Sequence, residues 1–342
     1  MYPRDLSILY SFTFRRLANT GKNLLSYLGS TITRQNHYWG LPVFLSVEPT
    51  SLCNLRCPEC PSGTGELTRP NGFITLELFQ SVIDQIEKDV PILILYFQGE
   101  PFLHPDIYTM INYARKKKMY VITSTNGHYF SEEKQARKLI ESGLNSLIVS
   151  LDGTTQEIYS LYRKGGDLER VIGGIKNIIT IRREMKIKLP RVHLQFLVMR
   201  YNERQIDAAK KLTKELGADG IIFKTMQIEH PDNKDFLPTV EQFQRYEQSN
   251  DHLKLKGTVP NKCLRLWTGS VITWNGKIIP CCYDKNADYM FGSINGETSF
   301  NDFLISRSAS EFRQRLLNSR SSIPLCSNCP EGRIKISNFV NS

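Results

Sequence analysis

The stretch SLCNLRCPECPSG, residues 51–63, places Cys53, Cys57 and Cys60 in one short loop. Thiols this close hold a metal or pair as a disulfide. A structural zinc needs four ligands, and its cysteines usually come as two nearby pairs. No Cys or His lies between Pro61 and Leu103, so a zinc knuckle is short of donors. Cysteine ligation is the norm for iron–sulfur clusters. Three cysteines on a four-iron cluster would leave one iron open to a substrate or cofactor.

The flanking sequence gives this loop a place in a fold. Val43 to Val47 reads as a strand just before it. Downstream come a helix over Leu76–Ile86, a strand over Ile92–Phe97, a helix over Ile107–Lys118 and a strand over Tyr120–Ser124. A helix from Glu132 to Gly143, a strand over Leu147–Ser150 and helical stretches to about Met185 follow. Val192–Val198 reads as a strand, Arg204–Leu216 as a helix and Ile221–Lys224 as a strand. Apolar strands separated by helices indicate a parallel sheet covered by helices. The fold class is α/β, and six such units predict a partial (β/α)6 TIM-like barrel. Chemistry in such folds sits at the carboxyl ends of the strands, which is where the 51–63 loop lies. Past about Phe236 the pattern breaks. SVITWNGKIIPCC reads as a hairpin turning at Asn275-Gly276, with a helix over about Phe303–Leu317 after it. The chain therefore divides into an N-terminal helical extension (1–40), a core (41–235) and a small C-terminal hairpin-helix domain (236–342).

The 342 residues are 40% hydrophobic and 23% charged, ordinary for a globular chain. No apolar run approaches the about 20 residues of a membrane span, and no secretory signal opens the sequence. The chain reads as cytoplasmic. Its net charge is +10, from 44 Lys and Arg against 34 Asp and Glu. The charge is spread along the chain apart from runs such as Arg115–Lys118, which reads as a solvated basic surface. Nucleic acid is not expected as a partner. Leu6, Leu9, Tyr10, Phe14, Leu17, Leu24, Leu25 and Leu28 fall at helical spacing. They predict a helix packed on the following domain, with contact to a membrane surface as the alternative. The eight cysteines gather at 53, 57 and 60 and again at 263, 281, 282, 326 and 329. Such clustering points to metal rather than to a disulfide scaffold.

The CxxxCxxC spacing of Cys53, Cys57 and Cys60 resembles the hallmark of the radical S-adenosylmethionine (SAM) superfamily. FQGEP, residues 97–101, closes the second strand, and Gln98, Gly99 and Glu100 resemble the family's GGE segment. Gln98 replaces its first glycine. The resemblance implies that this segment's backbone holds the amino group of SAM. STNG (124–127) and SLDG (150–153) end the third and fourth strands, implying SAM contacts at Ser124, Asn126, Ser150 and Asp152. Arg163, in YRKGG, matches an arginine found on the SAM carboxylate. Glu59 stands where the family often has an aromatic residue. The resemblance further implies that SAM chelates the open iron of a [4Fe-4S] cluster. A one-electron donor such as flavodoxin or ferredoxin would then drive its cleavage to a 5′-deoxyadenosyl radical, which takes hydrogen from substrate.

Cys263, Gly276 and Cys281 resemble the opening of the SPASM family of C-terminal extensions. Only Cys326 and Cys329 follow besides Cys282, which resembles the shortened Twitch variant with one auxiliary [4Fe-4S] cluster. That implies Cys263, Cys281, Cys326 and Cys329 as its ligands. The spacing alone also allows a zinc on the same four thiolates. Neighbouring strand residues face opposite ways, so Cys282 is left over, either an inert thiol or a proton acceptor or hydrogen donor near substrate. Anaerobic sulfatase-maturating enzymes carry a catalytic aspartate at that position. Here Cys282 stands there, with Asp284 two further on, and these are the candidate catalytic residues. The spacing also resembles that of the radical dehydrogenase acting on 2-deoxy-scyllo-inosamine. The expected activity is thus an oxidoreductase. It would oxidise an alcohol or amino-alcohol of a sugar- or cyclitol-like small molecule, with the auxiliary cluster as electron acceptor. The alternative is a peptide- or protein-modifying maturase. Maturases often carry a leader-binding winged-helix domain, for which forty N-terminal residues are short. Specificity is expected in the barrel-mouth loops and in residues 227–261.

Overall fold

The computed structural model describes residues 6–247, 253–294, 298–331 and 337–341. Residues 1–5 of the N-terminal extension and 248–252 of the expected specificity region lie outside the described residues. Six parallel strands form the core: β1 (Phe44–Val47), β2 (Ile92–Ile94), β3 (Tyr120–Thr125), β4 (Ser146–Ser150), β5 (Arg191–Val198) and β6 (Gly220–Thr225). They lie side by side in chain order, as a right-handed βα progression requires. The helices between them are α2 (Pro61–Thr64), α3 (Leu76–Ile86), α4 (Ile107–Lys116), α5 (Glu133–Glu141), α6 (Gln156–Tyr162), α7 (Leu168–Glu184) and α8 (Ile206–Leu216). Local chemistry sets their starts. Thr75 accepts from the Leu78 amide at the head of α3, and Asp167 from the Arg170 amide at the head of α7. One apolar core joins strands and helices, from Leu45 and Leu93 to Phe79, Ile111, Ile140 and Ile178. β2 is shorter than the sequence pattern suggests, ending at Ile94.

The C-terminal hairpin does not form a sheet of its own. After a small antiparallel pair, β7 (Tyr246–Glu247) and β8 (Lys254–Leu255), comes α9 (Leu264–Thr268). It leads into β9 (Gly269–Ile272), β10 (Lys277–Ile279) and β11 (Gly292–Ser293). β9 pairs in parallel with β1, Phe44 opposite Gly269 and Val47 opposite Ile272. The hairpin thereby extends the core sheet. Gly269 lets the Phe44 ring lie close over it, since a Cβ there would sit 2.2 Å from that ring and force it to move. The expected C-terminal helix is two: α10 (Phe300–Leu304) and α11 (Arg307–Ser319), the second capped by Ser306. α12 (Pro324–Ser327) carries Cys326. At the far edge β12 (Ser337–Asn341) pairs antiparallel with β6, a strand the sequence pattern does not signal.

The N-terminal helix forms as expected but packs the opposite way round. α1 (Phe14–Thr33) buries Arg16, Asn19, Asn23, Ser26 and Ser30. Phe14, Leu17, Leu24, Leu25, Leu28 and Ile32 point outward. The buried face is held by hydrogen bonds. The Arg16 guanidinium donates to the carbonyls of Ser11, Glu87, Lys117 and Lys118. Asn19 Nδ2 donates to Leu41 O and Asp89 O, and Asn23 Nδ2 to Trp267 O at 2.7 Å.

Candidate functional site

Beyond β1 the chain turns at once into the three-cysteine loop. The Cys60 amide donates to Cys57 O (3.1 Å), and Cys60 O accepts from Gly63 and Thr64 at the start of α2. Cys57 is buried, Cys53 and Cys60 half-buried. Burial pushes the Cys53 thiol up to about 12, and the nearby Glu100, Cys60 and Cys57 add to it. Burial raises Cys57 as well. Thiols raised in this way ionise only beside strong positive charge, which a metal centre supplies.

The next strand exits close on this loop. Gly99 has φ +71, and a Cβ there would strike the carbonyls of Thr50 and Leu52 at 2.5 and 2.6 Å. The Glu100 amide donates to Leu52 O (2.8 Å). Gln98 beside them is half-buried. The buried Glu100 carboxylate accepts from Thr125 Oγ1 (2.8 Å), the Asn126 amide (2.7 Å) and the Phe102 amide (3.2 Å). It thereby ties the end of β2 to the end of β3. Burial outweighs these bonds and raises its pKa to about 7. Asn126 Nδ2 donates to Asn54 Oδ1 inside the cysteine loop (2.7 Å), and its Oδ1 faces His128 Nδ1 (2.9 Å). The Asp167 amide donates to His128 Nε2 (2.7 Å), so His128 carries its proton on Nδ1. Burial, with Arg170 nearby, lowers the His128 pKa. Asn54, Glu100, Asn126, His128, Tyr129 and Arg170 line a cavity at these strand ends. Asn54 and His128 are missing from the sequence reading, although His128 directly follows STNG.

Ser124 on β3 is half-buried and Ser150 at the end of β4 buried, both on this same rim. Asp152 is fully buried. Its Oδ1 accepts from the Leu197 amide (2.7 Å) and its Oδ2 from Arg163 Nε (2.6 Å). Arg163 Nη1 in turn lies 3.8 Å from Cys57 Sγ. Burial works against the Arg163 charge, but Asp152 and Cys57 outweigh it and the pKa is raised. Asp152 thus orients Arg163 toward the cysteine loop. Glu59 binds the Glu229 amide (2.6 Å) and the Asn233 side chain. It anchors the segment after β6 to the same loop.

The later cysteines form a second group. Cys263 precedes α9, Cys281 follows β10, and Cys326 and Cys329 flank Asn328. Cys281 is within electrostatic reach of Cys263 and Cys329, and all four thiols are raised, first by burial. Arg320, fully buried, stands among them with Nη2 3.5 Å from Cys329 Sγ. Burial opposes its charge, but Cys263, Cys329 and Cys326 raise its pKa. Its Nε is buried without a hydrogen-bond partner among the described residues. Asn328 Nδ2 donates to Ile228 O (2.9 Å) and Tyr246 Oη donates to Asn328 Oδ1 (2.8 Å), linking this motif to the exit of β6.

Cys282, within electrostatic reach of Cys281 and Cys329, also has Arg265 and Lys224 in reach. Burial lowers the pKa of Lys224, which sits on β6. Asp284 has both oxygens taken: Oδ1 accepts from the Asp288 amide (2.8 Å) and Oδ2 from the Tyr289 amide (3.0 Å). It fastens the turn after the hairpin. A buried ion pair bolts that turn to the first site. Arg69 grips Glu48 through two bonds, Nη1 to Oε2 at 2.8 Å and Nη2 to Oε1 at 2.5 Å. Arg69 Nε also donates to Lys285 O (2.7 Å), and the Trp274 amide donates to Glu48 (3.0 Å).

Two groups of cysteines, three in the loop after β1 and a second in the C-terminal segment, accompany a parallel α/β sheet. The family model of the radical SAM superfamily matches residues 47–212, and that of the SPASM iron–sulfur cluster-binding domain matches residues 263–330. The chain belongs to the radical SAM superfamily and carries a C-terminal SPASM-type domain. It is 26% identical over 270 residues to a tungsten-containing aldehyde ferredoxin oxidoreductase cofactor-modifying protein of Pyrococcus furiosus, covering 73% of this chain and 74% of the relative. It is 29% identical to the mycofactocin maturase MftC of Mycobacterium ulcerans, covering 55% of this chain and 48% of the relative. The chain thus spans about half of that maturase. Among solved structures, SuiB of Streptococcus suis with S-adenosylmethionine gives a TM-score of 0.63 at 14% identity, covering 93% of this chain and 78% of SuiB. BtrN with AdoMet and 2-DOIA gives 0.52 at 18% identity, covering 85% and 94%. Both support the fold.

The residues fit the cofactors this family implies, SAM, a [4Fe-4S] cluster and an auxiliary iron–sulfur cluster. Among the described residues no three His, Cys, Asp or Glu side chains converge on a single-ion site. A four-iron cluster gathers its thiolates from a wider perimeter. The donors are all sulfur, and the buried Arg320 guanidinium sets positive charge beside them, with Nη2 against Cys329 Sγ.

Proposed function

We propose that this protein oxidises an alcohol or amino-alcohol of a sugar- or cyclitol-like substrate. The observation that carries the reading is the disposition of the cysteines: three at the first site, four at the second, and Cys282 left over beside Lys224 and Arg265. Bound SAM and the two clusters supply the radical that takes hydrogen and the acceptor for the remaining electron. The chain's own groups do the rest. Asn126 lines the cavity, and Gly99 lets the backbone before Glu100 run against the cysteine loop. Asp152 holds Arg163 in place for the SAM carboxylate. Cys282 and Lys224 are the groups available to take the substrate proton. Lys224, with its lowered pKa, suits that task better than Asp284, whose oxygens are already bonded. Arg265, in electrostatic reach of Cys282, adds a positive charge beside the proposed proton acceptor.

The test is anaerobic incubation of reconstituted protein with SAM, dithionite and candidate polyols, measuring 5′-deoxyadenosine against carbonyl product. SAM consumption without an oxidised product, across neutral and phosphorylated candidates, defeats this reading. A second reading is peptide maturation, favoured by the sequence likeness to the mycofactocin maturase. A precursor-peptide gene beside this one, and a mass loss in that peptide on incubation, would favour it.

A further inference from the structure

The outward face of α1 is apolar and uncovered. Phe14, Leu17, Leu24, Leu25, Leu28 and Ile32 range from 40% to 89% exposed along a 20-residue helix, about 30 Å long. Leu9 and Tyr10, in the turn before it, are also exposed. Exposed apolar surface on this scale marks an interaction site. The helix cannot roll to hide it. Doing so would expose nothing polar that water could not satisfy, but it would strip the Glu87, Lys117, Lys118 and Trp267 carbonyls of the Arg16 and Asn23 donors. Buried polar groups left unpaired cost about 1–3 kcal/mol each.

Charge decides between possible occupants. No Asp or Glu occurs from Leu6 to Val47. Lys22 on α1 is exposed, and the Arg16 bonds draw the Lys117–Lys118 backbone and the Glu87 backbone against the first turns of the helix. Exposed Lys88, Lys116 and Lys118 come with them. Among the described residues no ion pair involves Lys22, Lys88, Lys116 or Lys118. Trp39, 57% exposed, lies beside Gly29 of the same helix. The apolar ridge has an indole beside it and exposed lysines near its first turns, while the carboxylates there, Asp84, Glu87 and Asp89, are tied to Arg15 and Lys117; this is the character of an interfacial helix. We infer that α1 seats this protein on an anionic lipid surface, apolar face down, with the catalytic domain held above it by the polar face. No helix is long and apolar enough to cross a membrane, so the contact is peripheral.

The test is co-sedimentation of the reconstituted full chain with vesicles, phosphatidylcholine alone against phosphatidylcholine with phosphatidylglycerol. The expected result is binding to the anionic vesicles that weakens with salt. The L25E/L28E variant should lower partitioning on the order of a hundredfold, while its melting temperature and iron content stay at wild-type values. The lysine variant K116E/K118E should weaken binding to anionic vesicles alone. Equal, weak pelleting of wild type and L25E/L28E with both vesicle types overturns the inference. So does concentration-dependent self-association of the wild type that L25E/L28E abolishes without any vesicle binding.

Discussion

Replacing Arg69 with Met should destabilise the whole protein. The pair it forms with Glu48 is sealed from solvent, with side chains 1% and 0% exposed. Without Arg69 the Glu48 carboxylate keeps only the Trp274 amide as a donor. Removing one partner of a buried ion pair costs about 3–5 kcal/mol, because the other charge stays buried and uncompensated. At about 2.1 cal/mol/K per residue over 342 residues, that is a fall of about 4–7 °C in Tm. Anaerobic thermal unfolding of reconstituted protein, followed by circular dichroism at one scan rate, reads this directly. The double variant E48Q/R69M removes the buried charge together with its partner and should recover most of the loss. An R69M protein within about 1 °C of wild type would refute the reasoning, as would a double variant no more stable than R69M.

Other outcomes follow from the two cysteine groups and their neighbours. Replacing Cys53, Cys57 and Cys60 with Ala should leave about half the iron and sulfide, the auxiliary share, and no SAM cleavage. Metal and sulfide quantification with chromatography of 5′-deoxyadenosine checks both. Glu100 predicts a pH effect in the cluster-free protein. Its folded pKa of about 7 exceeds the ordinary 4.5, so the folded state keeps a proton that the unfolded chain has released. Stability then falls as pH rises from about 4.5 to 7, and the E100Q variant should gain on wild type by about 3 kcal/mol across that window. Urea unfolding at pH 5 and pH 8 measures the difference, and a constant gap would count against the assignment. Arg320→Gln should lower the reduction potential of the auxiliary cluster on the order of 100 mV, since a buried cation beside three thiolates favours the reduced form. A redox titration followed by electron paramagnetic resonance detects it.

Much of the architecture is legible in the sequence because the six core strands are continuous apolar runs, buried on both faces and spaced by helices of ordinary length. The cysteine groups are legible too, since their donors sit in short motifs. What escapes is everything that depends on pairing across the fold. Nothing local in residues 337–341 marks a strand, because β12 borrows its ladder from β6. Arg320 looks like a surface cation until the fold buries it among thiols, and Lys224 until the fold sets it near Cys282. Asp284 reads as a free carboxylate two residues from Cys282, yet the turn that follows consumes both its oxygens. The helical period of α1 is plain, but periodicity reports two faces without saying which one is inward. Here asparagine, serine and arginine find carbonyl partners on the body, and that outweighs burial of the leucines.

The pairing of β9 with β1 has a consequence for electron movement. Cys281 follows Ile279, which pairs with Val271, and Val271 pairs with Ser46. The auxiliary cysteine is therefore drawn toward the Phe44 end of β1, while the SAM-site cysteines leave from beyond its Val47 end. The length of one strand, about 3.3 Å per residue, acts as a ruler between the two redox loops. A backbone ladder sets that spacing rather than a hinge between domains, so thermal motion cannot vary it without breaking hydrogen bonds. Any electron passing between clusters held by these two loops would start and end at points tied to the register of one strand.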